Sequence, residues 1–157
     1  MIKKLITGML TAAVLTMSSC GSGEKDPATY NNSIITVING SEQHITDMNA
    51  AMSSSDYAKA EEVRTAWEKS LDGDIKKVED LGDFKGDATF QKAVLDGLKG
   101  YKKIVTEDYP KLIEIRKNKT PDAAAESTLL DNINKAFENM SNGVNKASSE
   151  FESKYKS

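Results

Sequence analysis

The chain has 157 residues, with 21 lysines and arginines against 24 aspartates and glutamates and a formal net charge of −3. An acidic balance without a basic cluster leaves no electrostatic footprint for nucleic acid, so no nucleic-acid partner is expected. One cysteine excludes an intramolecular disulfide, one histidine excludes the repeated Glu-x-x-His metal sites of four-helix bundles, and the length suits one domain with its own core.

Lys3 and Lys4 precede an apolar run, Leu5 to Met17, that is shorter than the roughly 20 residues a membrane-spanning helix needs and suits a secretory signal. Met17-Ser18-Ser19-Cys20 closes it. These four residues resemble the lipobox of bacterial lipoproteins, with Met17 where that pattern prefers Leu. The resemblance implies that residues 1–19 are a signal peptide cut before Cys20, and that the Cys20 thiol carries diacylglycerol. A signal peptide with a chance cysteine is the plainer alternative. Acyl chains contribute about 0.8 kcal/mol per buried CH2, so the lipid on Cys20 would hold the protein permanently to the membrane. Loss of Lys3 and Lys4, with no acid among residues 1–19, leaves the rest more acidic.

Residues 20–27 read as a lipidated flexible tether, since Gly21-Ser22-Gly23-Glu24-Lys25-Asp26-Pro27 is small and polar. Glu24 and Asp26 resemble the acidic export signals that send some lipoproteins of Bacteroidetes to the outer face. The expected address is the bacterial cell envelope, at the outer membrane, facing either the periplasm or the surface.

From Tyr30 the residues Ile34, Val37, Ser41, Ile45, Met48 and Met52 recur at three and four spacing, one stripe along a helix. Asn39-Gly40 is its weak point, where poor helix formers favour a bend. Ser53-Ser54-Ser55-Asp56 breaks the pattern and offers caps for a second helix, whose stripe is Ala60, Val63, Trp67, Leu71, Ile75, Val78 and Leu81, ending at Gly82. Gly82-Asp83-Phe84-Lys85-Gly86-Asp87 has turn chemistry, with Phe84 expected to tuck against the end of the helices.

The third stripe comprises Phe90, Val94, Leu98, Tyr101, Val105, Tyr109, Leu112 and Ile115, and it keeps phase through Pro110. Proline removes a backbone donor and crowds the preceding turn, which predicts a kink near Thr106 to Tyr109 and no stop. Thr120-Pro121-Asp122 supplies a cap and a first-turn proline for the last helix. Its stripe is Leu129, Ile133, Phe137, Met140, Val144, Ala147, Phe151 and Tyr155, and the poor helix formers Ser141-Asn142-Gly143 predict a bend or frayed turn. Four stripes joined by short turns bury their apolar faces only against one another. The expected fold is therefore all-α, an antiparallel up-down-up-down four-helix bundle over residues 28–157.

Tyr30-Asn31 with Ile34-Ile35, the run Phe90…Tyr101-Lys102…Glu107-Asp108-Tyr109, and Phe151-Glu152-Ser153-Lys154 resemble the uncharacterised helical surface lipoproteins first annotated in Leptospira and common in Bacteroidetes. The resemblance spans nearly all of the helical domain. It implies a helical, lipid-anchored protein and lends the chain no active-site residue.

Groups able to do chemistry are few. His44 with Asp47 offers at most two metal ligands, and a solvated histidine at the edge of the stripe is the expected reading. Asp72-Gly73-Asp74 lacks the ligands and glycine of a calcium loop and reads as a surface turn of helix. Asp80, Asp83 and Asp87 suit capping better than metal binding. Glu61-Glu62 and Glu107-Asp108 are adjacent and diverge around a helix, which does not suit paired acid-base work. No nucleophile elbow, phosphate loop or dinucleotide fingerprint occurs, and a lone cysteine excludes haem attachment. No catalytic, cofactor-binding or metal residue is expected, and no cofactor.

Gly97 and Gly100 stand one turn apart, either as an imperfect stretch of helix or as a place of close approach that forms a groove for a partner. Trp67, Tyr101 and Tyr109 read as core aromatics before binding anchors. Two functions follow. One is a non-enzymatic, lipid-anchored envelope module that binds a protein, a glycan or another envelope component. The other is a small-molecule carrier or sensor with a pocket near Gly97 and Gly100.

Overall fold

The computed structural model describes residues 26–118 and 122–155. The expected signal peptide, Cys20 and most of the tether lie outside the described residues, as do Lys119, Thr120, Pro121, Lys156 and Ser157. The described chain is all-helical, without a strand: α1 (Pro27–Asn39), α2 (Glu42–Ser53), α3 (Tyr57–Leu81), α4 (Thr89–Lys103), a π turn (Ile104–Asp108), α5 (Tyr109–Lys117) and α6 (Ala123–Tyr155). These make four arms, with α1 and α2 in the first and α4, the π turn and α5 in the third. The packing of α4 on α6, of α2 on α3 and of α3 on α4 is compatible with a helical bundle. No helix among the described residues is long and apolar enough to cross a membrane.

Asp26 caps α1 by accepting from Thr29 N at 2.9 Å, and Pro27 occupies the first turn, where no donor is needed. The helix thus begins at Pro27, the last residue of the expected tether. The weak point at Asn39-Gly40 is a full break between α1 and α2. A Cβ on Gly40 would lie 3.1 Å from Val37 O and 3.3 Å from Asp74 Oδ2, so the crossing is closely fitted. Ser41 keeps its place in the stripe because it is buried and polar: Trp67 Nε1 donates to its Oγ at 3.2 Å. Asp56 caps α3 by accepting from Lys59 N at 3.0 Å.

One expectation on α3 is corrected. Asp74 is not on the surface: it is 3% exposed and takes the inward position, while Ile75 is only partly buried. Position 74 falls three residues after Leu71 and four before Val78, on the face that both share. Its carboxylate accepts from Lys77 Nζ at 2.8 Å and Ser70 Oγ at 3.3 Å. Asp72 does stay exposed, paired with Lys102.

Positive φ at Gly82 (69°) and Gly86 (85°), with Lys85 at 52°, folds the turn after α3 back on itself. Phe84 is thereby fully buried, with Tyr30, Phe151 and Tyr155 at ring-centroid distances of 5.1, 5.0 and 4.8 Å. A second aromatic cluster centres on Trp67, which is 0% exposed and packs on Tyr101, Tyr109 and Phe137.

The kink expected at Pro110 takes the form of the π turn. Pro110 has no N–H for the carbonyl four residues back, and Tyr109 N donates five residues back, to Ile104 O. By contrast, α6 remains helical through Ser141-Asn142-Gly143, where a bend or frayed turn was the expectation. Met140, Val144 and Ala147 are all buried there, and such packing outweighs the weak propensity of three residues. Asp122 accepts from Ala125 N at 2.9 Å at the start of this helix.

A groove between α4 and α6 over the π turn

Gly97 and Gly100 behave differently. A Cβ on Gly97 would sit 2.0 Å from Met140 Sδ and 3.4 Å from Met140 Cα, so glycine leaves the room on α4 that the buried Met140 thioether of α6 fills. A Cβ on Gly100, or on Gly143 of α6, would meet nothing within 4 Å. Beyond the Gly97 contact the two helices leave an open groove of about 620 Å³, lined on one side by Ala93, Asp96, Gly100 and Lys103 and on the other by Asn132, Lys135, Ala136, Asn139 and Gly143. Its volume lies within the range of small-molecule sites. Ile104 and Asp108 of the π turn contribute to the same wall.

Asp108 is the residue that adjacency in sequence concealed. Glu107 and Asp108 do diverge, but Asp108 is only 6% exposed. Asn132 Nδ2 donates to its Oδ1 at 3.0 Å, tying the π turn to α6. The signal was present in the stripe, since position 108 lies three residues after Val105 and four after Ile104, both buried. π turns are frequent at functional sites, and this one carries Asp108 on the inward face.

The other singled-out residues do structural work. His44 is half-buried, its ring stacked 6.4 Å from Trp67, while Asp47 accepts from Gln43 at 2.7 Å. Glu61 pairs with Arg64 at 2.7 Å and Glu62 with Lys59 at 3.1 Å. Asp80 pairs with Lys76, and Asp83 accepts from Gly86 N at 2.8 Å. Among the described residues no three His, Cys, Asp or Glu side chains gather as a metal-ligand set.

Asp87 is the hub of the α3–α4 turn. Its Oδ2 accepts from Lys154 Nζ at 2.7 Å and Tyr155 OH at 3.2 Å, and its Oδ1 from Thr89 N at 3.0 Å. The Lys154 ammonium, with help from Thr89 and Tyr155, holds the carboxyl well below the usual carboxylate range, and Asp87 in turn raises Lys154. Burial pushes the Tyr30 hydroxyl up to about 12, reinforced by Asp83 and Asp87, and it donates to Gly82 O at 2.7 Å. Burial alone raises Tyr101, and burial with the nearby Tyr101 raises Tyr109. None of these tyrosines is poised for proton transfer near neutral pH.

No protein-family profile, curated protein or solved structure matches this chain.

Proposed function

We propose that this chain is a lipid-anchored, non-enzymatic binding module of the bacterial cell envelope, an up-down-up-down helical bundle that holds a small ligand in the α4–α6 groove. The groove carries the reading, because it combines concavity, polar side chains from both helices and a π turn that aims a buried carboxylate at it. The short turns at residues 54–56 and 82–88 favour antiparallel neighbours, in support of the up-down order. Lys3, Lys4, the apolar run and Met17-Ser18-Ser19-Cys20 support removal of residues 1–19 and a lipid on Cys20. The resemblance of Tyr30-Asn31, the Phe90 to Tyr109 run and Phe151-Glu152-Ser153-Lys154 to the helical surface lipoproteins supports the same address, with a protein or glycan of the envelope as the wider partner.

Two measurements test the reading. Cys20→Ala should move the chain from the membrane to a soluble fraction, and its persistence at the membrane would refute the anchor. A small-molecule extract of the envelope should raise the melting temperature of the purified chain, since a ligand that binds only the folded state stabilises it. Gly143→Trp, which fills the open groove, should abolish that rise. A rise that survives the substitution would refute the groove as the site.

A further inference from the structure

The unneutralised charges of the groove define what it would hold, an inference that rests on the groove reading above. Asp108 Oδ1 is satisfied by Asn132, but among the described residues Oδ2 has no hydrogen-bond partner and no lysine or arginine pairs with this carboxylate. Among the described residues no side-chain oxygen wholly shut off from solvent lacks a partner, so Oδ2 keeps access to solvent, and the groove that Asp108 lines supplies it. A carboxylate 6% exposed and without a counter-charge is costly to bury, and a ligand ammonium would offset that cost.

The same groove carries the opposite sign. Lys103 on α4 and Lys135 on α6 both line it, and neither pairs with a carboxylate among the described residues. Asp96, the remaining charged residue of the lining, is already matched by Lys92 at 2.7 Å. One buried negative charge and two unpaired positive charges therefore face a single space. Gly100 and Gly143 leave its walls open to close approach by a ligand.

We infer that the α4–α6 groove takes a small zwitterion, with its primary ammonium at Asp108 and its carboxylate or phosphate at Lys103 and Lys135. An ammonium offers three donors to an oxygen that lacks one, and lysines receive either oxyanion as point charges. Two sources share this chemistry, a free amino acid and a phosphoethanolamine headgroup.

The test is titration of the full chain with glycine, glutamate and phosphoethanolamine, against ethylamine, acetate and glycerol, following the amide resonances of Gly97, Gly100 and Gly143 and the side-chain amides of Asn132 and Asn139. At least one zwitterion should saturate these signals with an affinity tenfold or more above ethylamine and acetate. Saturation by glycine or glutamate assigns a free amino acid, and saturation by phosphoethanolamine alone assigns the headgroup. Asp108→Asn keeps an acceptor for Asn132 and should weaken binding at least tenfold. Lys103→Ala and Lys135→Ala, at positions not in the core, should weaken it without unfolding the chain and carry the test if Asp108→Asn fails to fold. Equal response to ethylamine, acetate or glycerol would overturn the zwitterion while leaving the groove a binding site. No response at the groove to any of the six would overturn both.

Discussion

Alanine at Gly97 should leave the chain less stable than alanine at Gly100, although the two positions lie one turn apart on the same helix. Each replacement gains about 1 kcal/mol of helix propensity. At Gly100 the new methyl meets nothing within 4 Å, so the gain is kept. At Gly97 it lands 2.0 Å from Met140 Sδ and 3.3 Å from Met140 Cγ. Carbon contacts settle at about 3.5–4.0 Å, so the thioether must retreat well over an ångström. Met140 is 2% exposed, and overpacking of this kind costs about 1–3 kcal/mol. Gly97→Ala should therefore fall about 1–3 kcal/mol below Gly100→Ala in urea unfolding followed by circular dichroism, with unchanged slopes. A double-mutant cycle isolates the contact. Met140→Ala alone should cost about 2–5 kcal/mol, and less in the Gly97→Ala background, where the shortened side chain makes room for the methyl. Equal stabilisation by the two alanines, or strict additivity in the cycle, would refute the tight seating of Met140 on Gly97.

Phe84→Ala should cost about 3–5 kcal/mol in calorimetric melting, because the ring is 0% exposed and closes one end of the helices against Tyr30, Phe151 and Tyr155; a loss below about 1 kcal/mol would contradict that packing. In alkaline titration followed by near-ultraviolet absorbance, Tyr30, Tyr101 and Tyr109 should ionise late. Their folded pKa values lie above the unfolded value, about 12 for Tyr30, so their stabilisation is complete below about pH 10 and is lost as pH rises beyond it. Asp87→Asn has the opposite sign. The folded carboxyl titrates below the unfolded one, so wild type should exceed the variant in stability above about pH 4 and the gap should close on acidification. A gap that persists unchanged in acid would remove the Lys154 pairing as its cause.

The four helical arms were legible because apolar spacing alone specifies a buried face. Caps at Asp56 and turn residues at Gly82 and Gly86 marked where that face ends. Pro110 announced a distortion but not its kind, since a missing donor is compatible with a kink or with a π turn. Asn39-Gly40 and Ser141-Asn142-Gly143 looked alike in propensity, yet the first is a break and the second is continuous helix. What separates them is tertiary contact: Ser41 is bonded to Trp67 and Gly40 lies close against Asp74, whereas Met140 and Val144 are buried along a continuous helix. The groove was legible only as two glycines in α4. Its other wall comes from Asn132, Lys135 and Gly143, more than thirty residues on, and no spacing within one helix reveals which residue of another will face it. Asp74 and Asp108 show the remaining gap. Both occupy inward positions of their stripes, and a pattern read only from apolar residues passes over a buried acid.

The most direct test of groove binding is a photo-crosslinking side chain placed at Gly100 in intact cells, with the same group at Glu79 on the exposed side of α3 as the control. The account predicts a covalent adduct at position 100 that position 79 does not form and that an added Gly143→Trp substitution suppresses. Equal capture at the two positions, or none at position 100, would contradict it.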